Sequence, residues 1–130
     1  MGRMNSHLCY WLITVVAMLT SFLAYVFDWN ETHVYNPRWP PHAKFHNAQT
    51  LILGPLLGLS SLWFLWDKHL PEIAIVAASL YWISQLGSLV FPGTALVDPE
   101  FRDRPGARIP KQPILASVLL ALLACAWFAA

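Results

Sequence analysis

Three of the five histidines in this chain lie in one polar stretch, residues 28–49. His42 and His46 are four residues apart, so in a helix their imidazole rings lie on one face and can bind a single metal ion or exchange protons. His33 precedes them in the same stretch and is an available third ligand. One interpretation is therefore a divalent transition metal held by His33, His42 and His46.

The residues between His42 and His46 exclude one well-defined chemistry of paired histidines. They are Ala43, Lys44 and Phe45, so the glutamate that acts as the base in H-E-x-x-H zinc peptidases is absent. Two further interpretations stay open. The histidines act as acid and base on a ligand without a metal, or they lie at head-group depth because their rings are amphipathic.

Other polar residues complete a candidate site around these histidines. The predicted catalytic groups are His42, His46 and Asp98, and the predicted ligand-binding groups are Asn36, Arg38, Gln49 and Gln85. Arg38 would anchor an anionic group, and Gln49 extends the helical face of the two histidines. Gln85 lies inside an apolar stretch, where facing lipid is costly. We expect it to point inward, as a ligand contact or as a hydrogen-bonding group between helices.

The composition places these polar residues in a membrane protein. Hydrophobic residues make up 57% of the 130 and charged residues only 12%. Four apolar stretches, at about residues 8–27, 48–66, 72–91 and 113–130, are each long enough to cross about 30 Å of hydrocarbon as a helix. Because a backbone in lipid must satisfy its own hydrogen bonds, the sequence predicts one all-α domain, residues 1–130, that is a four-transmembrane-helix bundle.

Two proline-rich loops, residues 28–47 and 92–112, connect these spans. Residues 67–71 are too few for anything except a turn, so both loops must emerge on the same face and can form one stiff cap. Lys and Arg residues number two on the opposite side, Arg3 and Lys68, and six in the loops, which are Arg38, Lys44, Arg102, Arg104, Arg108 and Lys111. This asymmetry predicts that both loops are cytoplasmic, and for a bacterial protein the membrane would be the inner membrane of the cell.

The charge distribution excludes a nucleic-acid-binding protein, and the end of the first apolar stretch argues against a cleaved signal peptide. The net charge of +1 is scattered over the loops and gives no basic stripe, which excludes nucleic-acid binding. The first apolar stretch ends in Tyr25, Val26, Phe27 and Asp28, without a small-residue cleavage pattern. It therefore predicts a retained anchor rather than a cleaved signal peptide.

Two segments resemble a known family. NETHVYNPRWPPHAKFHNAQ at residues 30–49 and FPGTALVDPEF at residues 91–101 look like the motifs of a family of small four-helix membrane proteins of unknown function, found in bacteria and fungi. Some members have an acetyltransferase-like label, for which these residues show no basis. The resemblance implies the four-helix fold and a working surface formed by the two loops, and it implies no particular reaction.

These observations predict a membrane protein with a histidine-containing polar site at the interface. The site would bind or transform a lipid-like or isoprenoid-like molecule by acid/base or metal-assisted chemistry, with the tail of the ligand between the helices. The alternative is a non-enzymatic lipid-binding module or a small structural subunit of a membrane complex. Expected partners are membrane lipids, an amphiphilic ligand, and further copies of the chain or a larger complex.

Overall fold

The computed structural model describes residues 6–129. Within this range the chain is helical and contains no strand, which confirms the predicted all-α class. The four α-helices are α1 (Ser6–Asp28), α2 (Pro41–Trp66), α3 (Pro71–Gly87) and α4 (Lys111–Ala129). Two single-turn 3₁₀ helices, Ser88–Val90 and Pro99–Phe101, lie in the connection between α3 and α4.

All four helices are long and apolar enough to cross a membrane. The candidate spans are His7–Asp28, Pro41–Trp66, Pro71–Val90 and Lys111–Phe128. Large apolar side chains such as Trp11, Val26, Leu56 and Phe128 are exposed on the outside of the bundle. Such a surface is compatible with a multi-pass membrane protein, because lipid tails cover it without a hydration penalty. Arg3 lies outside the described residues, and the side of the membrane on which the loops lie stays a prediction.

Prolines define where α2 and α3 begin. Pro41 and Pro71 each occupy the first helical turn, where the missing N–H has no intrahelical partner to lose. Pro40 precedes α2 in an extended conformation, with φ −64° and ψ 154°. The turn before α3 contains His69 with a positive φ of 56°, in the left-handed region. Helix α2 therefore starts before its apolar part, and the polar residues 42–49 lie on its first two turns.

Two glycines of α2 allow α1 to approach closely. A Cβ atom at Gly54 would lie 2.7 Å from the carbonyl oxygen of Thr20. At Gly58 it would collide with Ser21 Oγ and with the carbonyl oxygen of Ala17. Close approach at small residues is how helices gain packing energy in a membrane, where lipid tails are as apolar as the protein.

Buried hydroxyl groups connect the helices inside the bundle. Ser61 Oγ on α2 donates to the carbonyl oxygen of Ala74 on α3 at 2.8 Å, and Trp82 Nε1 on α3 donates to Thr20 Oγ1 on α1 at 2.8 Å. A hydrogen bond of this kind contributes on average about 0.6 kcal/mol within a membrane. Together they fix α3 against the α1–α2 pair.

The two proline-rich loops meet on one face of the bundle, as predicted. Loop 1 (residues 29–40) follows α1, and loop 3 (residues 91–110) precedes α4. Trp39 Nε1 in loop 1 donates to Asp98 Oδ2 in loop 3 at 3.0 Å. We call the joined loops the cap.

Candidate functional site

Three residues predicted from the sequence as catalytic or ligand-binding hold the cap together. Asn36 is buried, and its Nδ2 lies 3.3 Å from Glu100 Oε1 across the two loops. Its Oδ1 accepts the backbone N–H of Arg38 at 2.9 Å, and the Arg38 guanidinium lies 3.5 Å from Glu100 Oε2. Asp98 accepts the Trp39 indole N–H described above. In this structure Asn36, Arg38 and Asp98 contact other cap residues.

A second ion pair joins the loops at the surface. Arg104 Nη1 lies 2.9 Å from Glu31 Oε1. The backbone N–H of Glu31 itself, followed by the Arg104 guanidinium, holds the pKa of the Glu31 carboxyl below its usual value. Because both side chains are well exposed, solvent screens this pair, and we expect it to contribute little to stability.

The histidine stripe, which consists of His42, His46 and Gln49, forms as the helical spacing predicts. The two Nε2 atoms lie 3.1 Å apart, and His46 Nδ1 lies 3.4 Å from Gln49 Oε1. Two ring nitrogens at 3.1 Å need one hydrogen between them, so one histidine donates and the other accepts. All three residues are on an exposed face of α2. The two rings therefore bond to each other on a face of α2 that is exposed.

The predicted three-histidine metal site is not formed, because His33 lies elsewhere. Its Nε2 is 3.8 Å from Asp28 Oδ1, and its ring packs edge-on against Trp39 at 5.0 Å. The turn at the start of loop 1 folds back on α1, where the Val34 backbone N–H donates to the carbonyl oxygen of Asp28. Between residues 6 and 129, no three His, Cys, Asp or Glu side chains are grouped as the ligands of one metal would be.

A cavity lies between the helices at the end of the bundle that carries the cap. Its volume is about 220 Å³, and all four helices contribute to its wall. We call it the interhelical pocket, and its lining residues are Leu23, Ala24, Phe27, Asp28, Thr50, Leu53, Tyr81, Trp82, Ser84, Gln85, Ser88, Gln112 and Leu115. The pocket combines a polar part with an apolar part, which is typical of sites for small molecules.

Gln85 is the predicted ligand-binding residue that the structure places in this pocket. Its Oε1 is buried and has no hydrogen-bond donor among the described residues. A buried acceptor without a partner costs roughly 1–3 kcal/mol. Because this oxygen is not accessible to solvent, the amide must turn for it to accept an N–H or O–H group of a ligand in the pocket. Gln49, the other predicted glutamine, is exposed on the histidine stripe.

Asp28 provides the carboxyl group of the interhelical pocket. Only 13% of its side chain is exposed. Its Oδ2 accepts the Asn47 amide at 2.9 Å, and its Oδ1 faces the His33 ring. The ring nitrogen on the other side of His33, Nδ1, lies 2.7 Å from Thr32 Oγ1. A polar chain thus leads from loop 1 to the pocket wall.

The sequence interpretation missed several polar residues of the pocket. The residues not proposed as site groups there include Tyr81, Ser84, Ser88 and Gln112. A usable signal existed, since each of these residues, like Asp28 and Gln85, lies toward the cap end of its helix. Because the short turn between α2 and α3 puts both loops on one face, these ends must come together.

Comparison with known proteins identifies a family without an assigned reaction. The family model described as "Family of unknown function (DUF6640)" matches residues 12–129. This agrees with the resemblance to an uncharacterised family and gives no support to an acetyltransferase-like label. No curated protein and no solved structure matches the chain.

Proposed function

The chain belongs to the family of unknown function DUF6640, and from the interhelical pocket we propose that it binds the head group of an amphiphilic molecule in the membrane. The observation that supports this proposal is that Gln85 lines a cavity while its buried Oε1 has no donor among the described residues. A ligand with a hydrogen-bond donor in its head group would satisfy it.

The shape of the pocket supports an amphiphile rather than a compact polar solute. Gln85, Gln112 and Asp28 provide polar groups, whereas Leu53 and Leu115 provide apolar surface. The volume of about 220 Å³ is below the roughly 300–1,000 Å³ of pockets that enclose a drug-sized molecule. The pocket would therefore hold a head group and the first carbons of a tail, with the rest of the tail against the lipid-facing helices.

This function corresponds to the non-enzymatic alternative predicted from the sequence. The histidine stripe stays a candidate acid/base pair, but its rings already bond to each other on an exposed face of α2. Histidine rings are stable at the depth of the lipid head groups even without a ligand, because each ring has an apolar edge and a polar edge. Binding in the pocket needs no contribution from the stripe.

The test compares two glutamines that differ in position and not in chemistry. Gln85→Leu replaces the unpaired acceptor by an apolar side chain of similar size, whereas Gln49→Leu makes the same change on the exposed stripe. After purification in lipid nanodiscs, native mass spectrometry measures retained amphiphiles and added dodecanol. We expect Gln85→Leu to lower retention about tenfold, the effect of losing one buried hydrogen bond of about 1.4 kcal/mol, and Gln49→Leu to retain the wild-type level. Equal retention by wild type and Gln85→Leu would refute the proposal.

A further inference from the structure

We infer that the interhelical pocket selects an uncharged, hydroxyl-bearing amphiphile, and that His33, which does not line the pocket, determines this choice by neutralising Asp28. The inference rests on the proposed binding function and adds the chemical class of the head group. It follows from a chain of hydrogen bonds in loop 1 whose donors and acceptors can be assigned one after another.

The chain begins at Asn30, whose amide orientation is fixed on both sides. Its Nδ2 donates to the carbonyl oxygen of Phe27 at 2.7 Å. Its Oδ1 accepts the backbone N–H of Thr32 at 2.8 Å and lies 2.6 Å from Thr32 Oγ1. An amide oxygen has no hydrogen to give, so the hydrogen between these two oxygens must be that of the Thr32 hydroxyl.

Because the Thr32 hydroxyl already donates its hydrogen to Asn30, it determines the tautomer of His33. Thr32 Oγ1 lies 2.7 Å from His33 Nδ1 and, with its hydrogen directed to Asn30, can only accept there. His33 Nδ1 must therefore carry a hydrogen. In a neutral imidazole the second ring nitrogen, Nε2, then has none.

That second nitrogen faces the carboxyl group of Asp28. The distance from His33 Nε2 to Asp28 Oδ1 is 3.8 Å. This distance is too long for a hydrogen bond, but a lone pair opposite an ionised carboxylate is repulsive. The contact is therefore attractive only when one of the two groups carries a proton. If the proton is on His33, an imidazolium faces a carboxylate, and if it is on Asp28, two neutral groups face each other. Both states have a net charge of zero.

The other groups around Asp28 leave the net charge of the Asp28–His33 pair at zero. Asn47 of α2 donates a neutral amide hydrogen to Oδ2, and Tyr81 of α3 and Gln112 of α4 share the pocket wall. No lysine or arginine is among the described residues that line the pocket. An ammonium or carboxylate head group would thus be buried without a counter-charge. A hydroxyl stays neutral and can donate to Gln85 Oε1 once the amide turns toward the pocket.

The experiment measures head-group selectivity with three probes of one chain length. Dodecanol, dodecylammonium and dodecanoate are added at equal mole fraction to nanodiscs that contain the protein, and native mass spectrometry gives the bound fraction of each. Each bound fraction is divided by the partition of that probe into protein-free nanodiscs of the same lipid composition, which removes the partition preference of each probe. We expect the wild type to bind dodecanol at least tenfold better than either charged probe.

His33→Gln tests the part that His33 plays. Glutamine fills similar space and can donate a hydrogen bond, but it holds no titratable proton, so Asp28 becomes an unbalanced carboxylate. We expect selectivity to shift at least tenfold toward dodecylammonium, and Asp28→Asn added to His33→Gln to restore the preference for dodecanol. His42→Gln makes the same change on the histidine stripe and should behave as the wild type.

The outcomes separate this inference from the proposed function. If the wild type binds none of the three probes, the proposed function fails. If the wild type binds dodecylammonium or dodecanoate better than dodecanol, or His33→Gln leaves selectivity unchanged, this inference fails while the pocket stays a binding site. If the His33→Gln protein does not fold, the Asp28→Asn single variant provides the test. The inference requires that Asp28→Asn keep the wild-type preference for dodecanol. A shift of this variant to a charged probe would overturn the inference.

Discussion

The histidine stripe of α2 and the interhelical pocket each contain a glutamine beside other polar side chains, and they differ in how far those polar groups are exposed. On the stripe, His42 and His46 bond to each other in an exposed position. In the pocket, Gln85 Oε1 is buried and has no donor within residues 6–129. Residues capable of chemistry therefore do not by themselves mark a binding position in this chain. An unsatisfied polar atom on a side chain that lines a cavity is the more direct indication.

The energies of the two regions differ accordingly. A side-chain pair at helical spacing on an exposed face stabilises a helix by about 0.2–0.5 kcal/mol, whether or not a ligand is near. A buried acceptor without a donor destabilises the unliganded protein by about 1–3 kcal/mol, and this is recovered when a ligand supplies the donor. The pocket is thus the region where stability and binding should oppose each other.

The largest change in stability and in ligand retention should come from a substitution of Trp82, a buried residue that lines the pocket. Trp82 is 2% exposed and donates to Thr20, so Trp82→Ala should reduce the free energy of unfolding by about 3–5 kcal/mol and abolish dodecanol retention. Trp63→Ala, on the exposed side of α2, should cost less than about 1 kcal/mol. Unfolding curves in detergent, monitored by circular dichroism, give both values. Similar losses for the two tryptophans would contradict the distinction between pocket and surface.

The next largest effect is an increase in the free energy of unfolding, and we expect it only for a substitution in the pocket. In the unliganded protein, Gln85→Leu replaces an unpaired buried acceptor by an apolar group and should raise the free energy of unfolding by about 1 kcal/mol. Gln49→Leu on the stripe should change it by less than about 0.5 kcal/mol. Thermal unfolding of delipidated protein measures this difference. A clear loss of stability in Gln85→Leu would mean that Gln85 has a structural partner after all.

A smaller effect is expected on the stripe itself. His46→Gln removes the hydrogen bond between the two rings, which are exposed, and should lower stability by no more than about 0.5 kcal/mol. Dodecanol retention should equal that of the wild type. Loss of retention with unchanged stability would instead show that the stripe participates in function, as the acid/base interpretation of the sequence requires.

The smallest effect concerns the exposed Glu31–Arg104 pair of the cap and depends on pH. Since the folded-state pKa of Glu31 is below its ordinary value of 4.5, its contribution is present above that pH and is lost as the pH falls through the lowered folded value. Wild type and Glu31→Gln should therefore differ slightly at neutral pH and converge in acid. A difference that grows as the pH falls would contradict the assigned direction.

The fold was predictable because it depends on length and composition. Four apolar stretches of membrane-spanning length specify four helices, and the short turn after Trp66 forces the two loops onto one face. The pairing of His42 with His46 was equally predictable, because spacing within one helix determines which side chains are neighbours.

The candidate site was only partly predictable, because it depends on relations between helices. Sequence spacing does not give the rotation of α2 in the bundle, so it could not tell that the stripe faces outward. Nor does it give contacts between distant loops, such as that of Asn36 with Glu100. The inward direction of Gln85 could be anticipated, because an amide facing lipid is costly in any rotation of the helix.

The way in which the helices are joined also determines which wall of the pocket can move. Helices α1 and α2 touch backbone to backbone at Gly54 and Gly58, and α3 is fastened to both by the hydrogen bonds of Trp82 and Ser61. Among the described residues, helix α4 forms no side-chain hydrogen bond to another helix, and its contacts with the other helices are packing contacts. Helices α1, α2 and α3 should therefore move together as one rigid unit, whereas α4 can shift relative to them. When a ligand enters or leaves the pocket slowly, we expect α4 to move against the other three helices.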